Sequence, residues 1–479
     1  MTSRMRDVLQ KANLCDRFSL CLGWLDEERH RRAALIGVLV IALAFRAIAA
    51  LIIPIEYRFR DDTVAYISIA RHLLTLGVFG PEPGVPYALI PPGYPLLVAG
   101  IFALTNYSLM AVRLVQVVLG TLMVWLTYLV GEEVTGRRIG LLGALISAAY
   151  PVWVIWPALI LTETLYAVLV LIFTWCLVRL MKVCAAKYAA LTGVAFGLSL
   201  LTREALFLFP LLLPFALWWS RVPWRHAWRY LLLFAVAALL VLSPWLIRNG
   251  RTFGQVFYTE RTEALRYLLT GSGYLSPRYR HMANEAISPP APSKPPEYYE
   301  RYGRQSEWFS INYLLGRPVS YLRQLVNRFV EYWLHPNGLE SLPDNLVVRA
   351  VYVAVHVGML GLAGVGLVSG LRRRDVATGV FTLLLGYVTG TNLFFTGPNP
   401  RYTMPFLPIV FVLAAAGALW VGQTVVPKRW SRQCQRRTRG LQEGRNRLSG
   451  RCNCSRNEVG LDPILHSVQG EDGTKARDA

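Results

Sequence analysis

Long apolar runs separated by short polar breaks dominate this chain of 479 residues. An α-helix needs about 20 apolar residues to cross the hydrocarbon core of a bilayer. Ten runs come close to that length: Ala33–Pro54, Ser108–Gly131, Ile139–Pro157, Glu163–Met181, Ala186–Leu201, Ala205–Trp219, Tyr230–Ile247, Leu346–Ser369, Val376–Leu393 and Thr403–Val425. Only 16% of the residues are charged, against about 25% in soluble domains. The pattern predicts an all-α polytopic membrane protein with about ten transmembrane helices.

One further apolar stretch, Pro92–Asn106, is too short to be a regular span and follows the turn-forming residues Pro91-Pro92. Counting it as a span would invert the orientation of everything after it. We therefore expect an interfacial or re-entrant helix within the first external loop.

The net charge of +21 is concentrated between the apolar runs and after the last one. The basic clusters are Arg29-His30-Arg31-Arg32, Arg137-Arg138, Lys182 with Lys187, Arg221 through Arg229, Arg372-Arg373-Arg374 and the tail from Lys428. Basic residues that flank spans set membrane orientation and contact anionic lipid headgroups. This distribution predicts cytoplasmic termini and membrane lipids as partners, and it argues against nucleic acid as a partner.

The charges and apolar runs together predict five regions. These are a cytoplasmic segment over 1–32, an N-terminal transmembrane module over 33–247 with its first external loop at 55–107, a large external loop over 248–345, C-terminal transmembrane helices over 346–425, and a basic, disordered cytoplasmic tail over 426–479.

Two adjacent acids, Asp61-Asp62, follow the first apolar run on the predicted external side. Either acid can cap the helix that begins there, but capping explains a pair of acids poorly. A carboxylate at the membrane boundary can also take a proton from a hydroxyl or hold a cation.

Glu163 lies at the external start of another predicted span. An acid there is costly unless it faces water or a cation, although it can also complement the helix dipole.

Two arginines, Arg203 and Arg401, lie at external span ends, against the usual charge bias. Arginine grips a phosphate through two hydrogen bonds. For Arg203 the alternative is an ion pair with Glu204 or Glu163, and for Arg401 it is contact with lipid phosphate. Acids and arginines at one membrane level indicate group transfer from a membrane-embedded phosphate ester.

Several short motifs resemble the membrane glycosyltransferases of the C-type fold, specifically family 39. These motifs are Asp61-Asp62-x-x-x-Tyr66-x-x-x-Ala70, Pro91-Pro92-Gly93-Tyr94-Pro95, Ala111-x-Arg113-Leu114, Gly136-Arg137-Arg138, Leu161-Thr162-Glu163-Thr164-Leu165, Leu201-Thr202-Arg203-Glu204 and Arg401-Tyr402-x-x-Pro405. The family includes protein O-mannosyltransferases and the aminoarabinose transferase that acts on lipid A. The resemblance implies an inverting enzyme that uses a polyprenyl-phosphate sugar on the extracytoplasmic face, as in a bacterial inner membrane.

The same resemblance implies roles for individual residues. Asp61 corresponds to the catalytic base. Asp62 and Glu163 correspond to further carboxylates of the catalytic site, with Glu163 binding a metal or orienting the acceptor. Arg203 and Arg401, with the adjacent Tyr402, correspond to ligands of the donor phosphate. A divalent cation, Mg²⁺ or Mn²⁺, held by Asp61 and Glu163 stays open, as does a reaction without a metal.

The sugar and the acceptor are not fixed by these residues. A hydroxyl of lipid A, of a cell-envelope glycan or of a protein fits equally well. Two other functions stay open: a flippase or transporter for lipid-linked sugars, and a ligase that transfers a whole lipid-linked glycan.

Overall fold

The computed structural model of the chain describes residues 28–54, 61–259, 315–336, 345–395 and 399–425. The predictions for the N-terminal segment before residue 28, most of the large external loop and the tail from 426 lie outside the described residues. All described residues fall within one compact unit, Leu22–Val425.

Within the described residues the secondary structure is entirely helical. The α-helices are α1 (Glu28–Ile52), α2 (Asp61–Leu76), α3 (Gly93–Thr105), α4 (Leu109–Thr135), α5 (Arg137–Ala149), α6 (Pro151–Ile155), α7 (Glu163–Val183), α8 (Ala186–Thr202), α9 (Leu213–Trp219), α10 (Trp224–Phe253), α11 (Pro318–Trp333), α12 (Leu346–Arg372), α13 (Val376–Phe395) and α14 (Leu407–Val425). Short 3₁₀ turns precede α9 and α14 and follow α6. The predicted all-α polytopic membrane fold is confirmed.

Seven helices of the described residues are long and apolar enough to cross a membrane, or eight if the bent pair α5 and α6 is one span. The sequence predicted about ten. The predicted span Ala205–Trp219 is divided into 3₁₀ turns and the short α9, with Pro210 and Pro214 at the starts of these pieces. Proline lacks the N–H that continues a helix, so this stretch is not one long helix. Helix α8 is also shorter than a typical span, at 17 residues.

Helix α3 matches the short helix predicted in the first external loop. Its 13 residues extend about 20 Å at 1.5 Å per residue, less than the roughly 30 Å hydrocarbon core. A Cβ at Gly93 would lie 2.7 Å from the carbonyl oxygen of Leu201. Only glycine allows this close approach, which places the start of α3 against the end of α8.

The break between α5 and α6, where the chain bends by 67°, is stabilised by a buried arginine. Pro151 has no N–H to donate to the carbonyl of Ser147, four residues earlier. Arg46 Nη2 of α1 donates to that carbonyl at 3.0 Å, and Nη1 lies 3.4 Å from the carbonyl of Ala148. The arginine therefore satisfies backbone groups that the bend leaves without helical partners.

Helices α7 and the α14 segment form the centre of the bundle, because 78% of the apolar window is buried in each, against 22% in α1. Helices α12 and α14 approach closely through two glycines. A Cβ at Gly366 would lie 2.0 Å from the Leu413 carbonyl oxygen, and one at Gly417 would lie 1.9 Å from the Leu362 carbonyl oxygen. Small residues at such crossings let membrane helices pack backbone to backbone.

Candidate active site

Four separate parts of the chain meet at one end of the bundle: the start of α2, the start of α7, the end of α8 and the 3₁₀ turn Pro400–Tyr402 before α14. A side-chain hydrogen bond links the first two, since Thr63 Oγ1 donates to the carbonyl of Ile160 at 3.1 Å. Asn399 shapes the turn by accepting from the backbone N–H of Arg401 at 3.0 Å. These local contacts bring the predicted acids and arginines together.

Glu163 is the buried centre of this cluster. Its side chain is 0% exposed, and its Oε1 accepts from Arg203 Nη1 at 2.8 Å. Arg401 Nε contacts the same oxygen. A carboxylate is costly to bury unless it is paired and hydrogen-bonded, and two guanidinium groups provide that pairing. Glu163 Oε2 is buried without a hydrogen-bond partner among the described residues.

Arg401 links Glu163 to the acid pair of α2. Its Nη1 donates to Asp62 Oδ2 at 2.7 Å, so one guanidinium joins two carboxylates from different helices. The Asp62 side chain is 48% exposed, whereas that of Arg401 is 12% exposed. Asp62 therefore marks the side of the cluster that faces water.

Arg203 and Tyr402 are also neighbours. The guanidinium carbon of Arg203 lies 5.4 Å from the centre of the Tyr402 ring, within the range of a cation–π contact. Arg203 Nη1 additionally lies 3.3 Å from Thr162 Oγ1. The ring and the hydroxyl hold Arg203 in place while its other donors stay available to a ligand.

The structure thus places together five of the six predicted site residues: Asp62, Glu163, Arg203, Arg401 and Tyr402. The sixth, Asp61, begins α2 beside Asp62, but its side chain lies outside the described part of the structure. The contact with Glu163 is the ion pair that the sequence offered as the alternative for Arg203. Whether either arginine binds phosphate stays a prediction.

Sequence reasoning missed the residues that position the cluster: Thr63, Thr162 as an Arg203 partner, and Asn399. Their signals were local, since Thr and Asn commonly bond to nearby backbone groups. Their partners could not be read from the sequence, because Thr63 binds a carbonyl 97 positions away.

Tyr66, one turn after Asp62 on α2, borders the same region. Burial, followed by the charge of Asp62, raises the pKa of Tyr66 to about 12. Its phenol therefore stays protonated at neutral pH and can donate a hydrogen bond.

The described cluster fits an anion better than a metal ion. No three His, Cys, Asp or Glu side chains within the described residues lie close enough to share a metal. Glu163 already carries two guanidinium partners, which would repel a cation. The predicted metal pair of Asp61 and Glu163 stays untested, because the Asp61 side chain is outside the described part.

Residues 90–247 match a family model described as "Dolichyl-phosphate-mannose-protein mannosyltransferase". The match begins at the Pro91-Pro92-Gly93 motif and includes Glu163 and Arg203, but it covers less than half of the chain. No curated protein sequence matches the chain.

The oligosaccharyltransferase AglB of Archaeoglobus fulgidus, solved with an inhibitory peptide and a dolichol-phosphate, superimposes on 91% of this chain with a TM-score of 0.51 and 12% identity. A second structure of the A. fulgidus oligosaccharyltransferase, with zinc and sulfate, superimposes on 82% at the same TM-score and 13% identity. The chain shares the fold of this oligosaccharyltransferase. This likeness at low identity concerns the fold alone. The chain spans about half of the archaeal enzyme, 53% and 49% in the two structures.

ArnT from Cupriavidus metallidurans, solved with undecaprenyl phosphate, aligns with 81% of this chain and 77% of its own, at 16% identity and a TM-score of 0.39. That superposition is too distant to support an argument about the C-type fold here.

Proposed function

We propose that this protein is an inverting glycosyltransferase that moves a sugar from a polyprenyl-phosphate donor to a hydroxyl acceptor on the extracytoplasmic face of a membrane. The observation that carries the proposal is the joined set of Asp62, Glu163, Arg203 and Arg401 at one end of a C-type bundle. The match of residues 90–247 to a dolichyl-phosphate-mannose-dependent family supports the donor class.

In this reaction Asp61 is the general base. Its carboxylate takes the proton of the acceptor hydroxyl as the acceptor oxygen attacks the anomeric carbon of the sugar. The new carbon–oxygen bond forms opposite the bond to phosphate, which inverts the anomeric centre. The bond between the anomeric carbon and the phosphate oxygen breaks, and polyprenyl phosphate leaves with its electron pair. Asp61 is assigned the role because it begins α2 and its neighbour in the chain, Asp62, is 48% exposed.

The arginines stabilise the departing phosphate. Arg203 hydrogen-bonds to described residues through Nη1, so Nε and Nη2 can bind phosphate oxygens. Fixed donors aimed at a developing charge stabilise a transition state without having to reorganise. The Tyr402 ring contacts the Arg203 guanidinium, so we assign Tyr402 to the phosphate site as a residue that positions Arg203.

Glu163 and Asp62 orient Arg401 in this mechanism. Glu163 contacts both arginines, and Asp62 fixes the far side of the Arg401 guanidinium. Glu163 Oε2, buried without a hydrogen-bond partner among the described residues, offers an acceptor to a substrate hydroxyl. A metal, if one is bound, would be held by Asp61 and Glu163, and the steps above do not depend on it.

A ligase that transfers a whole lipid-linked glycan is the second candidate, because the superimposed archaeal protein is an oligosaccharyltransferase. The family model names a mannosyltransferase, which favours transfer of a single sugar. No described contact favours the flippase. A bacterial inner membrane, a periplasmic site and a lipid A, glycan or protein acceptor remain part of the proposal.

The test is release of polyprenyl phosphate from a panel of polyprenyl-phosphate sugars by purified protein, with envelope extract as acceptor. We expect release with one donor, and a loss of about 10²- to 10⁴-fold in Asp61→Asn, the range for a general base. Arg71→Gln, an exposed change on the same helix, is the matched control. Full activity of a folded Asp61→Asn protein would refute the base assignment. Release of intact glycan with none of the monosaccharides active would favour the ligase, and no release from any donor would count against both.

A further inference from the structure

A positively charged cavity of about 630 Å³ lies at the end of the bundle away from the candidate active site. Its lining includes four arginines, Arg31, Arg137, Arg138 and Arg373, and no acidic residue. Glu132, which does not line the cavity, pairs with Arg137 at 3.0 Å. The proposed transfer chemistry uses none of these residues.

The two sites lie on opposite membrane faces. The chain passes from Arg401 through α14 to Trp420, which lines the cavity. About 19 residues at 1.5 Å each extend about 28 Å, close to the thickness of a hydrocarbon core. The arginines follow the usual bias of basic residues toward the cytoplasm.

An apolar groove adjoins the charged cavity. It has a volume of about 540 Å³ and is lined by Gly361, Gly364, Val365, Val368 and Arg372 of α12. It shares Ser369, Arg373 and Trp420 with the cavity. A charged chamber that opens into an apolar groove along a membrane helix fits an amphiphile with an anionic head and a hydrocarbon tail.

The local backbone also favours an anion. Helix α5 begins at the cavity, with Gly136 at its N-cap and no side-chain cap. The positive end of a helix dipole attracts phosphate. Four arginines and a helix start thus surround one chamber.

We propose that this cavity and groove bind an anionic glycerophospholipid of the cytoplasmic leaflet, with its phosphate among Arg31, Arg138 and Arg373 and an acyl chain along Gly361 and Gly364. A phospholipid is favoured over the free carrier lipid because the headgroup chamber has room beyond a single phosphate. Bound there, the lipid joins the ends of α5, α12 and α14, so it should stabilise the fold. The inference does not depend on the proposed transfer reaction.

The test measures lipid binding by native mass spectrometry of the detergent-purified full chain, titrated with phosphatidylglycerol or phosphatidylcholine. We expect preferential retention of phosphatidylglycerol. Arg138→Gln/Arg373→Gln should weaken this retention about ten-fold or more, given the contribution of each basic residue near anionic lipid. Arg225→Gln/Arg229→Gln, which removes the same charge from exposed positions of α10, should retain the lipid.

A second pair of variants tests the groove by shape rather than by charge. No atom lies within 4 Å of a Cβ at Gly364 or at Gly358, so a larger side chain fits at either position on α12. Of these two glycines, only Gly364 lines the groove. Gly364→Phe should weaken phosphatidylglycerol binding several-fold, and Gly358→Phe should not.

Three results would overturn the proposal. Equal weakening by the two double-arginine variants would show general charge attraction. Unchanged binding in the folded Gly364→Phe protein would show that no acyl chain uses the groove. Displacement of phosphatidylglycerol by a lower concentration of polyprenyl phosphate would assign the cavity to the carrier lipid instead. If size-exclusion chromatography shows that a charge variant is misfolded, the comparison of Gly364→Phe with Gly358→Phe decides whether the lipid binds in the groove.

Discussion

Two largely shielded arginines, Arg46 and Arg401, have opposite kinds of partner. Arg46 is fully buried and, among the described residues, donates only to backbone carbonyls of α1 and of the bend after α5. Arg401 joins two carboxylates, one of them half exposed to water. Burial of an arginine therefore does not mark an active site. The candidate active site is distinguished instead by its combination of acids, arginines and access to water.

The comparison predicts separate consequences for the two regions. Changes around Arg401 should reduce turnover, because the cluster there is where charge develops in the proposed reaction. Changes around Arg46 should reduce stability, because Arg46 donates to the Ser147 carbonyl, which Pro151 leaves without its helical donor.

Of the changes that test this comparison, Arg401→Gln is expected to have the largest effect. The change removes a cation from the phosphate site and leaves Glu163 with one arginine and Asp62 with none. We expect a loss of about 10²- to 10³-fold in polyprenyl-phosphate release at saturating donor, as for removal of one transition-state donor. Arg401→Lys, which keeps the charge without the fork-shaped guanidinium, should recover part of this loss. Near wild-type turnover in Arg401→Gln would remove Arg401 from the mechanism.

A loss of stability is expected for Arg46→Met. The thioether side chain fills part of the space but leaves the carbonyl of Ser147 without a donor, at a cost of about 1–3 kcal/mol. Thermal unfolding in detergent should show the loss, while turnover per folded molecule stays within about two-fold of wild type. A stable protein that has lost turnover would place Arg46 in the reaction instead.

The smallest effect is expected at Tyr402. Tyr402→Ala removes the ring beside Arg203, and a cation–π contact of about 0.5–1 kcal/mol corresponds to a rise in donor KM of about two- to five-fold. Tyr402→Phe keeps the ring and should behave as wild type. If Tyr402→Phe loses as much as Tyr402→Ala, the hydroxyl rather than the ring carries the role.

Much of the site could be predicted because charged residues are rare near apolar runs, so Asp61-Asp62, Glu163, Arg203 and Arg401 stood out. The pairing of these residues could not be predicted, since Arg401 contacts Glu163, which is 238 positions away in the chain. The sequence predicted about ten spans, and seven or eight of the described helices are long and apolar enough to cross a membrane. The two numbers differ because hydropathy counts apolar length, whereas Pro210 and Pro214 divide one of the predicted spans into short pieces. The role of Arg46 depends on the carbonyl that Pro151 leaves without its helical donor, a relation visible only after the chain folds.

The most direct test compares polyprenyl-phosphate release per folded molecule in Glu163→Gln and Arg46→Gln. Both changes remove one buried charge, and glutamine keeps nearly the shape of Glu163 and an oxygen for its arginine partners. The account predicts that Glu163→Gln remains folded and loses most of its turnover, whereas Arg46→Gln unfolds at a lower temperature and keeps its turnover. Full turnover in folded Glu163→Gln, with turnover lost in folded Arg46→Gln, would contradict it.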